Sequence, residues 1–192
     1  GTLTFNPGET TKNISITIVN DSLDEANETI QVTLSNPTNA ILGATTQHTY
    51  TVTDDDTAPS LSINDVAVTE GDAGTVNAVF TVSLSAASGQ TVTVNFATAN
   101  GTATAGSDYV GIPTTTLTFN PGETSKPITV QVNGDTLDEP NETFFVNLSG
   151  ATNATISDGQ GQGTITDDDA TPTVTLSLSG SPMAEAGGTA TV

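Results

Sequence analysis

The chain has no cysteine, no tryptophan and no arginine, and it carries only two lysines and one histidine among 192 residues. Without cysteine there are no disulfides, no thiolate metal sites and no cysteine nucleophile. His48 stands alone, so no site can draw on two imidazoles. Lys12 and Lys126 face 22 acidic residues, for a formal charge of −20. That balance leaves no basic surface for neutralising nucleic-acid phosphates and none for holding an anionic bilayer. No apolar run approaches the length needed to span a membrane. Apolar residues make up 34% and aromatic residues 4% of the chain, both low for a globular protein. The core must therefore be built from Val, Ile, Leu, Ala and six Phe. The chain opens on Gly1 and closes on Ala190-Thr191-Val192, in mid-pattern and with no targeting segment. We expect it to be a piece of something longer.

What the sequence does have is an internal repeat. Leu3-Thr4-Phe5-Asn6-Pro7-Gly8-Glu9-Thr10 returns as Leu117-Thr118-Phe119-Asn120-Pro121-Gly122-Glu123-Thr124. Asp21-Ser22-Leu23-Asp24-Glu25-Ala26-Asn27-Glu28-Thr29 returns as Asp135-Thr136-Leu137-Asp138-Glu139-Pro140-Asn141-Glu142-Thr143. The acidic triplet Asp54-Asp55-Asp56 returns as Asp167-Asp168-Asp169. A period this long exceeds the roughly 20–50 residues of solenoid repeats and fits one small domain. The expected organisation is the back part of one repeat over 1–56, a complete repeat over 57–169, and the start of a third over 170–192.

Within the complete repeat the apolar positions alternate with period two, which specifies strands. Val76, Ala78, Phe80, Val82 and Leu84 alternate with polar neighbours, as do Val92, Val94 and Phe96, then Ile128, Val130 and Val132, then Phe144, Val146 and Leu148. Valine and threonine dominate; both are β-branched and suit a pleated strand. No window has the period of an amphipathic helix. The pattern places strands at about 61–68, 75–84, 91–98, 109–119 (with Pro113 a point where it can break), 126–133, 143–149 and 163–167. Seven half-apolar strands in this length indicate an all-β, immunoglobulin-like antiparallel β-sandwich.

Consecutive antiparallel strands send alternate loops to the same end of a sandwich. By that parity Glu70, Asp72, Asp108, Asp135, Asp138, Glu139, Glu142, Asp167, Asp168 and Asp169 gather at one pole, ten of the thirteen acids of residues 57–169. Acids serving solubility alone would be spread over the whole surface. Ionised carboxylates packed together repel, and a cation relieves that repulsion. All-oxygen ligation without His or Cys points to Ca2+ over zinc or copper, and ten acids point to two or more ions. Magnesium, which keeps its water shell, fits less well. No EF-hand loop is present.

Together, Phe119-Asn120-Pro121-Gly122-Glu123-Thr124, Asp135-x-x-Asp138-Glu139-x-Asn141-Glu142, Gly106-Ser107-Asp108-Tyr109 and Asp167-Asp168-Asp169 resemble the Calx-beta domain family. That family includes the cytoplasmic calcium-sensing domains of sodium–calcium exchangers, a domain of an integrin subunit, and tandem arrays in bacterial surface proteins. The resemblance implies a sandwich with calcium at one pole. By position it implies ligands at Glu70, Asp108, Asp135, Asp138 or Glu139, and Asp167, Asp168 and Asp169. It also implies a backbone carbonyl ligand at Leu137, with Glu142 either a ligand or a loop anchor. In the first repeat the equivalents are Asp21, Asp24, Glu25, Glu28, Asp54, Asp55 and Asp56; in the third only Glu185 is present. One departure stands out: Gly134, and Asn20 in the first repeat, occupy a position where calcium-sensing members carry another Asp.

The leading expectation is a calcium-rigidified spacer or adhesive module of a large extracellular or cell-surface protein. Its partners would be calcium, the neighbouring repeats of the same chain, and a protein or glycan ligand of the parent adhesin, with no nucleic acid and no insertion into a membrane. The alternatives are a regulatory calcium sensor of a membrane transporter and a carbohydrate-binding sandwich. An enzyme lacks any supporting constellation: acid pairs suited to glycoside hydrolysis are present without aromatic sugar platforms.

Overall fold

The period-two segments form strands in the computed structural model, which describes residues 1–177. In chain order these are β1 (Glu28–Thr33), β2 (Gln47–Val52), β3 (Ser60–Ile63), β4 (Val66–Thr69), β5 (Gly74–Leu84), β6 (Val92–Asn100), β7 (Thr115–Phe119), β8 (Ser125–Gly134), β9 (Glu142–Thr152), β10 (Thr155–Ile156) and β11 (Gln160–Thr166). Among the described residues there is no helix.

Strands β3 to β11 make two facing sheets, ordered β10-β3-β5-β8 and β4-β11-β9-β6-β7. Their inward side chains alternate along each strand, as in Ala78, Phe80 and Val82 of β5 against Val94 and Phe96 of β6. The core closes on Tyr109, Phe80, Phe119, Phe144, Leu61, Val130 and Val146, each at most 1% exposed. Phe144 stacks on Tyr109 with ring centroids 4.6 Å apart and meets Phe80 edge-on at 5.9 Å. Burying one such ring stabilises the fold by about 1.5–3 kcal/mol. The architecture is the immunoglobulin-like β-sandwich expected from the pattern, antiparallel apart from two short parallel pairings, β4 with β11 and β10 with β3.

Two strand expectations need correction. The single strand at 61–68 is two: β3 pairs with β5 in one sheet, and β4 crosses to β11 in the other. The apolar phase changes at the crossing, from Leu61 and Ile63 to Val66 and Val68. The segment 109–119 does break at Pro113, which cannot donate to a ladder, and is regular only over β7. Tyr109 instead makes an isolated bridge to Val132. Finally, β9 runs on to Thr152, and β10 lies where a loop is expected.

In residues 1–56 only β1 and β2 pair, Ile30 opposite Tyr50 at the middle of the hairpin. The segments equivalent to β7 and β8 carry no ladder, and Phe5, Ile14, Ile16 and Ile18 are 41–51% exposed. In the complete repeat those strands pair with β6 and β5, segments that have no counterpart within 1–56. Residues 170–177 likewise contain no strand.

Candidate metal centre

The sheet topology gathers the acids. Parallel pairing of β4 with β11 sets Thr69 beside Thr166, so the chain leaving β4 at Glu70 runs next to the chain leaving β11 at Asp167. The Glu70 amide donates to the Thr166 carbonyl at 3.2 Å, and the Gly71 amide donates to Asp168 Oδ1 at 3.0 Å. Antiparallel pairing of β9 with β11 sets Glu142 opposite Ile165. The Asp167 amide donates to Asn141 Oδ1 at 3.2 Å. Between β6 and β7, Tyr109 hydroxyl and the Ala105 amide both donate to Asn100 Oδ1, at 2.7 and 3.0 Å. The Thr104 amide donates to Asp108 Oδ2 at 2.6 Å, which fixes that carboxylate at the mouth of the loop.

Two groups of three carboxylates result. Oxygens of Glu70, Asp167 and Asp169 lie within 4.8 Å of one another, and so do oxygens of Asp108, Glu139 and Glu142. Glu70 is only 4% exposed. Asp167 Oδ1 and Asp169 Oδ2 are buried with no hydrogen-bond partner. A buried carboxylate oxygen without a donor is costly, and no cationic side chain is at hand to serve it. Lys12 and Lys126 are held elsewhere, at 2.8 Å from Glu9 and 2.7 Å from Glu123, and they pull those two carboxyls below the usual range.

The electrostatics follow from this crowding. Burial, then the charges of Asp135, Asp167, Glu139 and Asp169, push the Glu70 carboxyl up to about 7. Burial, then the hydrogen bond and charge of Asp108 and the charge of Glu139, push Glu142 up to about 7. Glu139 is raised by burial and then by the charges of Asp135, Asp108, Asp167 and Asp169, and Asp169 by burial and then by Asp167, Asp72, Asp168 and Asp135. Neighbouring groups strained in the same direction mark a site that favours either protons or a cation. Hard carboxylate oxygens in two adjoining triads fit calcium, which takes six to eight oxygen ligands and tolerates irregular geometry.

The sequence-derived residues divide as follows. Glu70, Asp108, Glu139, Glu142, Asp167 and Asp169 come together in the two triads. Asp168 ties the 70–71 loop to the chain leaving β11. Asp135 is exposed and accepts from the Leu137 amide at 2.7 Å, while its charge bears on Glu70. Leu137 has a 62% exposed side chain. Asp138 lies outside both triads and accepts from Thr171 Oγ1 at 3.4 Å. Glu185 falls outside the described residues.

Residues 18–56 reproduce part of this arrangement. The Leu23 amide donates to Asp21 Oδ1 at 2.9 Å and the Asp54 amide to Asn27 Oδ1 at 3.0 Å, the counterparts of the Leu137 and Asp167 bonds. Asp21, Glu25, Glu28, Asp54, Asp55 and Asp56 line a small concavity there. Glu25 and Asp56 are raised by burial and by these like charges. Asp24 is not among the residues lining it: its Oδ2 accepts from Ser88 and Gln90, and its charge still bears on Asp56.

Sequence reading assigned no role to Asn141, Asn27 and Asn100, whose side chains fix the backbone around the acids. The first two sat inside the repeated Asn-Glu-Thr segment, and that recurrence was their signal. The structure also gives a reason for Gly134. A Cβ there would fall 2.1 Å from the Gly71 carbonyl oxygen and 2.7 Å from that of Glu70. Close approach of the β8 terminus to the Glu70 loop leaves no room for an Asp side chain.

The family model of the Calx-beta domain matches residues 1–56 and 54–170. Among curated proteins, sodium/calcium exchanger 1 of Bos taurus and of Cavia porcellus are each 30% identical over 166 residues, covering 77% of this chain. The chain spans only 17% of their length. Among solved structures, CBD12 from CALX1.2 superposes with a TM-score of 0.52 at 24% identity, covering 57% of this chain and 44% of that one. The calcium binding domain CBD12 of CALX1.1 gives 0.50 at 25% identity, covering 57% and 46%.

Proposed function

The chain belongs to the Calx-beta domain family, and from that premise we propose that residues 57–169 are one calcium-binding module of regulatory type and residues 1–56 the back part of its neighbour. The observation that carries this reading is the pair of carboxylate triads with two buried oxygens that no protein donor serves. Glu70, Asp167 and Asp169 would hold one ion, and Asp108, Glu139 and Glu142 a second. Asp135, Asp168 and the Leu137 carbonyl stand as further ligands implied by the family resemblance. Calcium, when bound, supplies the positive charge that two distant lysines cannot. The chain's own contribution is to present the oxygens: Asn141, Asn100 and the Glu70–Gly71 loop position backbone from four separate strand ends. Glu70 and Glu142, whose carboxyls burial and neighbouring acids raise, would have to be ionised to hold calcium, so affinity should weaken as pH falls.

The relatives favour regulation. They are sodium/calcium exchangers, proteins whose calcium-sensing domains the family resemblance puts in the cytoplasm, so the cell-surface placement expected from sequence gains no support from them. A second reading, the calcium-stiffened spacer of a surface protein, rests on a different observation. Residues 3–35 and 117–149 agree at about 20 of 33 positions, a closeness between neighbours that suits an array. Neither reading calls for catalysis.

Calorimetric titration of the full chain with calcium, and separately with magnesium, tests the proposal. A regulatory module binds calcium at roughly 10⁻⁷–10⁻⁵ M, and an extracellular module at roughly 10⁻⁴–10⁻³ M. Affinity in the first range supports the sensor and in the second the spacer. No calcium heat in either range overturns the calcium site itself.

A further inference from the structure

Asp24 occupies the position in the first repeat that Asp138 occupies in the second, yet its surroundings differ. It is 8% exposed, whereas Asp138 is exposed. Its partners come from the loop between β5 and β6, at the pole of the complete repeat that bears β3's first residue and lies opposite the carboxylate triads. Ser88 Oγ lies 3.1 Å from both the Asp24 carbonyl oxygen and Asp24 Oδ2. Gln90 Nε2 donates to Oδ2 at 3.2 Å, and the Gly89 amide donates to the Asp24 carbonyl at 3.0 Å. Ser88 is 2% exposed. The loop is braced from behind, since the Gly122 amide donates to the Ser88 carbonyl at 3.0 Å and the Gln90 amide to Ser88 Oγ at 3.0 Å. Glycine at position 89 is what lets the two repeats meet: a Cβ there would fall 2.7 Å from Glu25 Cγ.

We infer that the Leu23-Asp24-Glu25 turn is a docking element for the following repeat, seated in a socket made by Ser88, Gly89 and Gln90. Asp24 serves the joint between repeats, and the ion-facing carboxylates of the first repeat are its neighbours Asp21, Glu25 and Asp54 to Asp56. Two donors to its carboxylate, Ser88 Oγ and Gln90 Nε2, and a third to its backbone carbonyl let this aspartate sit almost fully buried with no cation beside it. At the equivalent position of the second repeat the turn has no such partner: Asp24 is 8% exposed, Asp138 is exposed, and Leu137 is 62% exposed where Leu23 is half-buried. The Leu137-Asp138-Glu139 turn is therefore the same docking element facing outward, and its partner is a further copy of this domain presenting an equivalent Ser-Gly-Gln loop. The joint also explains why Asp138 lies outside both carboxylate triads.

The test uses the full chain in metal-free buffer, so its outcome does not depend on calcium binding. Native-state hydrogen exchange reads the Gly89 amide. Spin labels on Thr49→Cys and Thr129→Cys, on exposed faces of β2 and β8, read the distance between the repeats; the chain has no cysteine to interfere. Asp24→Ala should cut Gly89 protection about tenfold or more, the loss expected for hydrogen bonds to a charged group. It should also broaden the label distance distribution and leave the unfolding of the complete repeat unchanged. Ser88→Ala should do the same from the other side, and the double variant should add little to either single one. Unchanged Gly89 protection and an unchanged distance distribution in both variants would overturn the inference.

Discussion

Removing calcium should make the complete repeat less stable as pH rises from about 5.5 to about 7.5, the reverse of the usual behaviour of carboxylates paired with cations. Glu70 carries the argument. Its carboxyl sits at about 7 in the folded protein against 4.5 ordinarily, with burial the largest cause and Asp135 next. The folded state therefore holds a proton on Glu70 through a range where the unfolded chain has released it. Stability from that proton is fully present below about pH 4.5 and is lost as pH climbs through about 7. Integrating between about pH 5.5 and 7.5 gives a loss near 2 kcal/mol, which solvent screening reduces to about 1–2 kcal/mol. Glu142, raised to about 7 by burial and Asp108, acts in the same direction. Urea unfolding of the full chain in metal-free buffer at the two pH values, followed by far-ultraviolet circular dichroism, measures this. Glu70→Gln should flatten the pH dependence and be the more stable protein at about pH 7.5. Wild-type stability that rises with pH, or a Glu70→Gln variant that tracks wild type at both values, would refute the reasoning.

Further outcomes follow from the same geometry. Gly134→Asp, which installs the residue the family resemblance implies there, places a Cβ against the Gly71 and Glu70 carbonyls and should destabilise the metal-free protein by about 1–3 kcal/mol; an unchanged urea midpoint would mean the Glu70 loop yields freely. Phe144→Ala removes a ring packed on both Tyr109 and Phe80 and should cost about 3–5 kcal/mol, read as loss of the cooperative transition at moderate denaturant. Asn141→Ala removes the acceptor of the Asp167 amide; it should lower metal-free stability by about 1 kcal/mol and weaken calcium affinity in calorimetry, and an unchanged affinity would show that Asp167 needs no such anchor.

Much of the fold was legible because Val and Thr alternation survives in nearly every strand of 57–169. The carboxylate pole was legible because parity depends only on the order of strands and not on their exact ends. What escaped was local. The Asn64-Asp65 crossing looked like unbroken alternation until the phase of Leu61 and Ile63 is compared with that of Val66 and Val68. The parallel β4–β11 pair, which brings Glu70 beside Asp167, could not be read from a rule of consecutive antiparallel strands. The division of ten acids into two triads depends on side-chain reach, which spacing does not encode. Asp24 and Asp138 look identical in sequence, and only the presence of Ser88 and Gln90 against one of them separates their roles. The extended segments of 1–27 show the converse: their alternation is as good as that of β8, but a strand pattern makes a ladder only where a partner strand is present.

The most direct test of the central claim is thermal unfolding of the full chain with millimolar calcium, with the same concentration of magnesium, and with chelator, beside an Asp167→Asn, Asp169→Asn double variant. Binding at a hundredfold excess over Kd adds about 2.7 kcal/mol, so the account predicts a rise of several degrees that calcium produces, magnesium does not match, chelator reverses and the double variant lacks. A wild-type transition that calcium leaves where chelator does would contradict it, and the acidic pole would then be a solvated surface on a β-sandwich.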